Sequence, residues 1–261
     1  MAQRSRGKKR RAGLPAPASI VSQQVLVPAR AAPRGAAALR AATSYRILRT
    51  NEVDPKDRPI PRAAVTPLGA PAVPVSDDFG GTARKAAKLA IATANTEHFN
   101  DLQDLLPTLA SKTAMNKHKP KITIEANSGR VAEEKRNIRL RAFLYAASRE
   151  DDNDFHLIIG RDVTKTPHLY MTVEISGLPP NSFKSFTKLK AARDAFKAFF
   201  KEHVPGPTYD FYDPPVPIEV EGSLFFDMSH VGGQGPGPKS LHKDIPTIWE
   251  IHPVTRIVFE P

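Results

Sequence analysis

Apolar and polar residues alternate along three stretches in the second half of the chain. In Arg136–Ser148, Asp154–Gly160 and His168–Ile175, apolar side chains recur at every second position, which is the pattern of a strand with one face in a core. The acidic turn Glu150–Asn153 separates the first two stretches, as in a hairpin. Three successive strands are therefore predicted.

The hydrophobic period changes from two to between three and four after Phe186, which predicts an amphipathic helix of about four turns. Pro205-Gly206-Pro207 ends this helix, because proline blocks its continuation. Two further strands are predicted over Ile218–Met228 and Thr247–Phe259. The Gly/Pro-rich loop between them, Ser229–Pro246, is long for a compact domain and is a candidate functional segment.

This order of elements predicts an α+β fold that is mainly β. Three strands, a helix and two strands are the order of the five-stranded Greek-key barrel called the OB-fold, and we expect an OB-like barrel domain over residues 121–261. Residues 76–120 predict a small helical module and linker, whose Ala/Leu face needs a partner, either the barrel or another chain. Residues 1–75 predict a disordered tail rich in Ala, Pro and Arg.

The basic charge of the protein is concentrated in the tail. Residues 1–75 hold fourteen Lys/Arg and three Asp/Glu, which gives +11, and this equals the net charge of the whole chain. The basic and acidic residues of the rest of the chain are therefore equal in number. Clustered cations bind polyanions through counterion release, so the tail predicts binding to nucleic acid or another polyanion. The alternative is a basic terminus that is merely solvated.

Other sequence features exclude several classes of protein. The chain has no cysteine, which rules out disulfides and thiolate metal sites. Pro15, Pro17, Gln23 and Gln24 interrupt the apolar core that a signal peptide needs, and no stretch is apolar enough for a membrane span. We therefore expect a cytoplasmic protein without a membrane partner.

Carboxylates and imidazoles recur along the predicted strands of the barrel. If no bulge interrupts the alternation, the carboxylates and imidazoles within the strands lie on the faces opposite the apolar side chains. Neighbouring strands bring them together there. These residue types are the ligands of hard and borderline divalent metals. The candidate metal ligands are Asp154, His156, Asp227, His230, Glu250 and His252.

A structural interpretation of the same residues stays open. Outward strand positions are polar in any antiparallel sheet, and such groups can stabilise one another or nearby loops. No HExxH, CxxC or nucleophile-elbow motif accompanies them.

At these positions the chain resembles a group of uncharacterised bacterial proteins. The shared features are a D-x-H-L strand at Asp154–Leu157, a G-x-x-F-F-D-x-x-H-G-Q segment that begins at Gly222, and an E-L-H-P-V strand at Glu250–Val254. The resemblance covers about residues 137–259. This chain departs from it by inserting Val231-Gly232 before Gly233-Gln234 and by having Ile251 in place of Leu. The resemblance implies the barrel domain and these polar positions, and no activity.

Two function hypotheses follow. The first is an OB-like binding module for nucleic acid or another anionic ligand, with the tail as an electrostatic anchor and a face that interleaves cations with aromatic rings. The residues of that face are Arg139, Arg141, Phe143, Tyr145, His168 and Tyr170. The second is a metal-dependent hydrolase of the phosphoesterase or nuclease kind, in which the candidate metal ligands hold a divalent ion. The sequence leaves open whether the chain is an enzyme.

Overall fold

The computed structural model describes residues 23–26, 44–54, 76–232 and 235–259. Within these ranges the strands are β1 (Gln23–Leu26), β2 (Ser44–Arg49), β3 (Thr96–Phe99), β4 (Asn137–Arg149), β5 (Phe155–Gly160), β6 (Tyr170–Ile175), β7 (Asp210–Phe226) and β8 (Trp249–Phe259). The α-helices in the same ranges are α1 (Lys85–Lys88), α2 (Leu102–Leu105), α3 (Lys112–Asn116) and α4 (Phe186–Phe200). The fold is mainly β with some α, as the sequence predicted.

All eight described strands belong to one mixed sheet in the order β1-β2-β7-β8-β6-β5-β4-β3, and β7 also pairs with β4. Strands β4, β5, β6, β8 and β7 therefore form a closed ring of hydrogen-bonded neighbours. Pairing is antiparallel except for β6 with β8 and β3 with β4. The sheet is not the clean five-stranded OB barrel that the sequence predicted, because β1, β2 and β3 extend it beyond the ring.

The main core lies on the face of the ring that α4 covers. Phe196 of α4 packs on Phe155 of β5 with ring centroids 4.8 Å apart, and Phe200 stacks on Tyr212 of β7 at 5.0 Å. A Cβ on Gly222 would collide with the carbonyl oxygen of Pro253, so the close approach of β7 and β8 requires glycine there. The helix predicted from Phe186 onward thus closes the core.

The helical module contributes to the same core. Leu102 and Leu105 of α2 and Met115 of α3 are buried in the main cluster, and β3 adds a parallel edge strand beside β4. The apolar face of this module is therefore covered by the sheet of its own chain. Strand β3 lies between α1 and α2, in a module for which the sequence predicted helices alone.

Part of the segment that the sequence assigned to the tail is a strand. Strand β2 pairs antiparallel with β7, its Tyr45 and Ile47 side chains are buried, and Thr50 donates a hydrogen bond to the Tyr209 carbonyl at 2.9 Å. The prediction of disorder does not hold for residues 44–54, because alternate apolar side chains of β2 find a partner face on β7. Residues 1–22, 27–43 and 55–75 lie outside the described residues.

A buried carboxylate lies at the junction of β2 and β7. Arg49 Nε is 3.4 Å from Asp210 Oδ1, and the Asp210 side chain is only 3% exposed. Burial raises the pKa of Asp210 to about 6, although Arg49 opposes the rise. The ionised form is therefore less favourable in the folded chain than in the unfolded chain.

Replacing Phe196 with Ala should lower the free energy of unfolding by about 3–5 kcal/mol, because a fully buried ring leaves a cavity. Urea unfolding of Phe183→Ala is the matched control, since Phe183 is 47% exposed. Equal losses for the two variants would contradict the assignment of the core.

Replacing Asp210 with Asn should stabilise the protein relative to wild type as the pH rises. A carboxyl whose pKa is raised by folding contributes stability below its unfolded pKa near 4, and this is lost as the pH passes about 6. The free energy of unfolding of the variant, relative to that of wild type, should therefore rise by up to about 3 kcal/mol between pH 4 and pH 7.5. Denaturant unfolding at both pH values measures this, with the exposed Asp194→Asn as control. A constant difference between variant and wild type would refute it.

Candidate metal centre

Three neighbouring strands bring polar side chains to the face of the ring opposite the main core. Strands β5 and β6 pair antiparallel so that His156 faces Glu174, and β6 runs parallel to β8 with Thr172 level with Glu250. Continuing this register by two residues brings Glu174 beside His252. The alternation that sends Val173 and Ile251 into the main core therefore collects carboxylates and imidazoles on the other side.

Asp154, Glu174 and His252 form the first group, which we call the carboxylate–imidazole centre. Asp154 Oδ2 is 3.4 Å from His252 Nε2, and Glu174 Oε2 is in direct contact with His252 Nδ1. The three side chains are at most 2% exposed, and donor atoms from all three lie within 4.8 Å of one another. Asp154 is fixed because its Oδ1 accepts a hydrogen bond from the Gly177 amide at 2.6 Å.

The inward-facing atoms of this centre lack hydrogen bonds. Among the described residues, no partner is aligned for hydrogen bonding with Asp154 Oδ2, Glu174 Oε2 or either ring nitrogen of His252. Buried polar atoms are nearly always hydrogen-bonded, so this convergence of lone pairs needs an explanation. A cation at this point would satisfy Asp154 Oδ2, Glu174 Oε2 and one ring nitrogen of His252, because metal ligands converge without bonding to each other.

Lys88, the last residue of α1, reaches the open side of the centre. Its Nζ donates to Asp152 Oδ2 at 3.2 Å and lies 3.7 Å from Asp154 Oδ2 and 3.6 Å from Glu174 Oε2. The Lys88 side chain is 14% exposed and that of Asp152 is 17% exposed, so they form a rim between the centre and solvent.

His156 belongs to a second group, with Asp54 and Glu150. Glu150 Oε1 lies 2.5 Å from His156 Nδ1, and Asp54 Oδ2 lies 3.7 Å from the same nitrogen. The other ring nitrogen, Nε2, is buried without a hydrogen-bond partner among the described residues. A carboxylate therefore orients the imidazole and leaves its second nitrogen unoccupied.

The Gly/Pro-rich loop predicted to be functional closes over Asp54. The Gly237 amide donates to Asp54 Oδ2 at 2.7 Å, and His230 Nε2 lies 3.7 Å from Asp54 Oδ1 and 3.5 Å from Asp227 Oδ2. These contacts link Asp227, His230 and Gly237 to the second group. Gly233 and Gln234, which belong to the segment resembling the bacterial group, lie outside the described residues.

The electrostatics of the first group follow from burial and mutual attraction. Burial alone would lower the pKa of His252, but the contact with Glu174 raises it to about 9. Burial would raise the pKa of Glu174, but Lys88 and His252 hold it well below its usual range. Burial and the neighbouring Asp152 raise the pKa of Asp154 well above its usual range.

In the second group, burial would lower the pKa of His156, but Glu150 outweighs it and raises the pKa to about 10. Burial raises the pKa of Glu150 despite the imidazole beside it. Both groups thus favour a positive charge next to their carboxylates.

The charges of the two groups do not balance. We use the term carboxylate network for the residues joined by these contacts, together with Glu250, whose Oε2 is 3.8 Å from His252 Nδ1. Its members are Asp54, Lys88, Glu150, Asp152, Asp154, His156, Glu174, Asp227, His230, Glu250 and His252. Within the described residues, the contacts of the network join four groups that can carry positive charge, Lys88 and three imidazoles, to seven carboxyl groups, and burial raises the pKa of two of these, Asp154 and Glu150. Buried charge of one sign is costly unless it is paired or coordinates a metal.

All six metal ligands proposed from the sequence lie in this network: Asp154, His156, Asp227, His230, Glu250 and His252. They divide between two groups, and the carboxylates that complete these groups, Asp54, Glu150 and Glu174, were not among the six. The alternation of β6 places Glu174 on the polar face, so this ligand could have been predicted from the sequence. Asp54 carried no signal, because it lies in the basic segment assigned to the tail.

The face proposed for ligand stacking is arranged differently. Arg139 donates to Glu221 at 2.6 Å, and Arg141 lies 3.7 Å from Glu219. Tyr145 and Tyr170 are buried against each other in an edge-to-face pair at 4.8 Å. Phe143 is half-buried beside them and His168 is half-buried before β6. The cations of this face thus have acidic partners, and both tyrosine rings pack inside the fold.

A cavity of about 430 Å³ lies at the start of β8, lined mostly by apolar residues that include Leu109, Ile248 and Trp249. None of its lining residues belongs to the carboxylate network. This cavity and the candidate metal ligands therefore lie in different places in the described part of the molecule. The donor atoms, and not the cavity, define the candidate site.

Comparisons with known proteins give no match: no family model, no curated protein and no solved structure corresponds to the chain. Within the described residues, no helix has the length and apolar character needed to cross a membrane.

Replacing Asp154 with Asn should stabilise the protein in EDTA, by about 1 kcal/mol, because it removes a buried carboxyl whose ionised form is disfavoured while keeping an oxygen for the Gly177 amide. Thermal melting in EDTA measures this, with Asp194→Asn as control, since Asp194 is an exposed carboxylate beside Lys190. A large loss of stability in the Asp154 variant would mean that the network is already balanced without added cations.

Proposed function

We propose that the protein is a divalent-metal-dependent hydrolase that acts on phosphoesters. The observation that carries this proposal is the convergence of three buried donors, Asp154 Oδ2, Glu174 Oε2 and one ring nitrogen of His252, within 4.8 Å of one another and without aligned hydrogen bonds. Two carboxylates and one imidazole neutralise a divalent ion and suit Mn²⁺ or Zn²⁺, which accept mixed oxygen and nitrogen ligands.

Each group has a distinct role in this proposal. Asp154, Glu174 and His252 would hold the ion, and a bound ion would supply Lewis acidity toward a phosphoryl oxygen and toward water. His156 is the general base: Glu150 holds its Nδ1, the positive charge of a bound ion would lower the pKa of about 10 that the ring has without it, and its buried Nε2 would then accept the proton from that water. The cross-strand pairing of His156 with Glu174 places this base beside a metal ligand.

The partly exposed members of the network define the side from which substrate enters. Lys88, Glu150 and Asp152 are between 13% and 17% exposed, whereas Asp154, Glu174 and His252 are at most 2% exposed. The proposal therefore puts the phosphoester at this rim, with the metal beneath it.

The binding-module hypothesis remains a separate proposal. It rests on the charge of residues 1–75, and the OB-like description that accompanied it is supported by the cyclic order β4-β5-β6-β8-β7 and by the position of α4 between β6 and β7. A basic tail would serve as the electrostatic anchor for a polyanionic substrate such as nucleic acid. The hydrolase proposal is favoured because its residues converge, whereas the aromatic rings of the stacking face are packed inside.

Adding Mn²⁺ or Zn²⁺ to EDTA-treated protein should raise the melting temperature and allow hydrolysis of p-nitrophenyl phosphate or bis(p-nitrophenyl) phosphate. At a hundred times the dissociation constant, the free energy of unfolding should rise by about 2.7 kcal/mol, because only the folded chain holds the donors together. Glu174→Gln should lose both effects, since it removes a ligand.

Replacing His156 with Gln should separate chemistry from binding: metal-induced stabilisation persists, while turnover falls by about 10²–10⁴-fold. His98→Gln is the matched control, since His98 is exposed on the edge strand β3. Absence of any metal-induced shift in wild type would reject the proposed function. Full turnover in the His156 variant would reject only its role as base.

A further inference from the structure

Lys88 lies where its ammonium group and a divalent ion would need the same carboxylate oxygens. Its Nζ is 3.7 Å from Asp154 Oδ2 and 3.6 Å from Glu174 Oε2, and these are the same two oxygens that contact the His252 ring. An ammonium group and a metal ion at this point would repel each other and compete for those charges.

The ammonium group does not replace a metal at this point. Only its contact with Asp152 is an aligned hydrogen bond, while Asp154 Oδ2 and Glu174 Oε2 accept no aligned hydrogen bond from Lys88. Metal–oxygen distances are about 2.0–2.6 Å, so a divalent ion approaches these oxygens more closely than Nζ does. Lys88 therefore offsets the charge of the centre without occupying its innermost position.

Lys88 also has a place to move. It ends a helix of four residues, its side chain is 14% exposed, and its Nζ lies 6.0 Å from the centre of the Phe79 ring at the rim. Asp152, which is 17% exposed, can keep its hydrogen bond to a lysine displaced toward solvent. The flexible four-carbon stem of lysine permits this displacement without movement of the backbone.

We propose that Lys88 is a tethered cation that compensates Asp154 and Glu174 in the metal-free protein and is displaced toward Asp152 and solvent when a divalent ion binds. This inference rests on the proposed function, because it takes the same metal centre as given. Lys88 then lowers the affinity of the centre for metal and keeps the metal-free chain folded. The displaced ammonium group faces the rim, where a phosphoester substrate brings negative charge.

The test combines Lys88→Met with the matched control Lys85→Met. Lys85 begins the same helix and lies 5.8 Å from the same Phe79 ring, but it has no contact with the carboxylate network. Titration calorimetry with Mn²⁺ should show about tenfold tighter binding or more for the Lys88 variant, because a like charge has been removed. Its melting temperature should fall in EDTA and recover with Mn²⁺, whereas the Lys85 variant should match wild type.

A second measurement uses the wild-type protein and does not depend on the folding of a variant. Acetylation of lysines, read by peptide mass spectrometry, should become faster at Lys88 when Mn²⁺ saturates the protein, with Lys85 unchanged. Mn²⁺ binding by wild type with neither faster acetylation at Lys88 nor tighter binding by its Met variant would overturn this inference and leave the proposed function standing. No binding of Mn²⁺ or Zn²⁺ by wild type would overturn both.

Discussion

The structure depends on how it accommodates seven carboxylates of one buried network beside a single lysine. Ionised carboxylates in a low-dielectric interior destabilise a fold unless positive charge accompanies them. Among the described residues, the chain brings in Lys88 from α1 and three imidazoles at positions 156, 230 and 252, and burial still raises the pKa of Asp154 and Glu150. Such an arrangement sacrifices stability, which is the usual trade-off at functional sites.

The same network explains why elements outside the ring of five strands belong to the domain. Strand β2 leads the chain to Asp54, α1 supplies Lys88, and the loop around Gly237 fixes Asp54 through its amide. These additions cover the polar face of β5, β6 and β8, just as α4 covers the apolar face. The ring is therefore covered on both faces, and its polar side becomes an interior.

The sequence predicted the elements of the ring better than the environment of its polar residues. Alternation placed Val173 and Ile251 in the core correctly, and it placed Asp154, His156 and His252 opposite them. It could not show that this second face is buried, because the covering segments come from distant parts of the chain. Tyr145 and Tyr170 were misjudged as an accessible stacking surface for the same reason, since Leu241 and Ile245 of the long loop pack over them.

The wide spacing of the network along the chain also constrains the order in which the protein can acquire metal during its synthesis. Asp154 and Glu174 leave the ribosome well before His252, which lies on β8, the last described strand. Until β8 inserts between β6 and β7, the centre lacks its imidazole and the ring remains open. An ion captured by the nascent chain would be held by carboxylates alone, so the complete ligand set, and any selectivity that its nitrogen donor brings, arises only with closure of the ring.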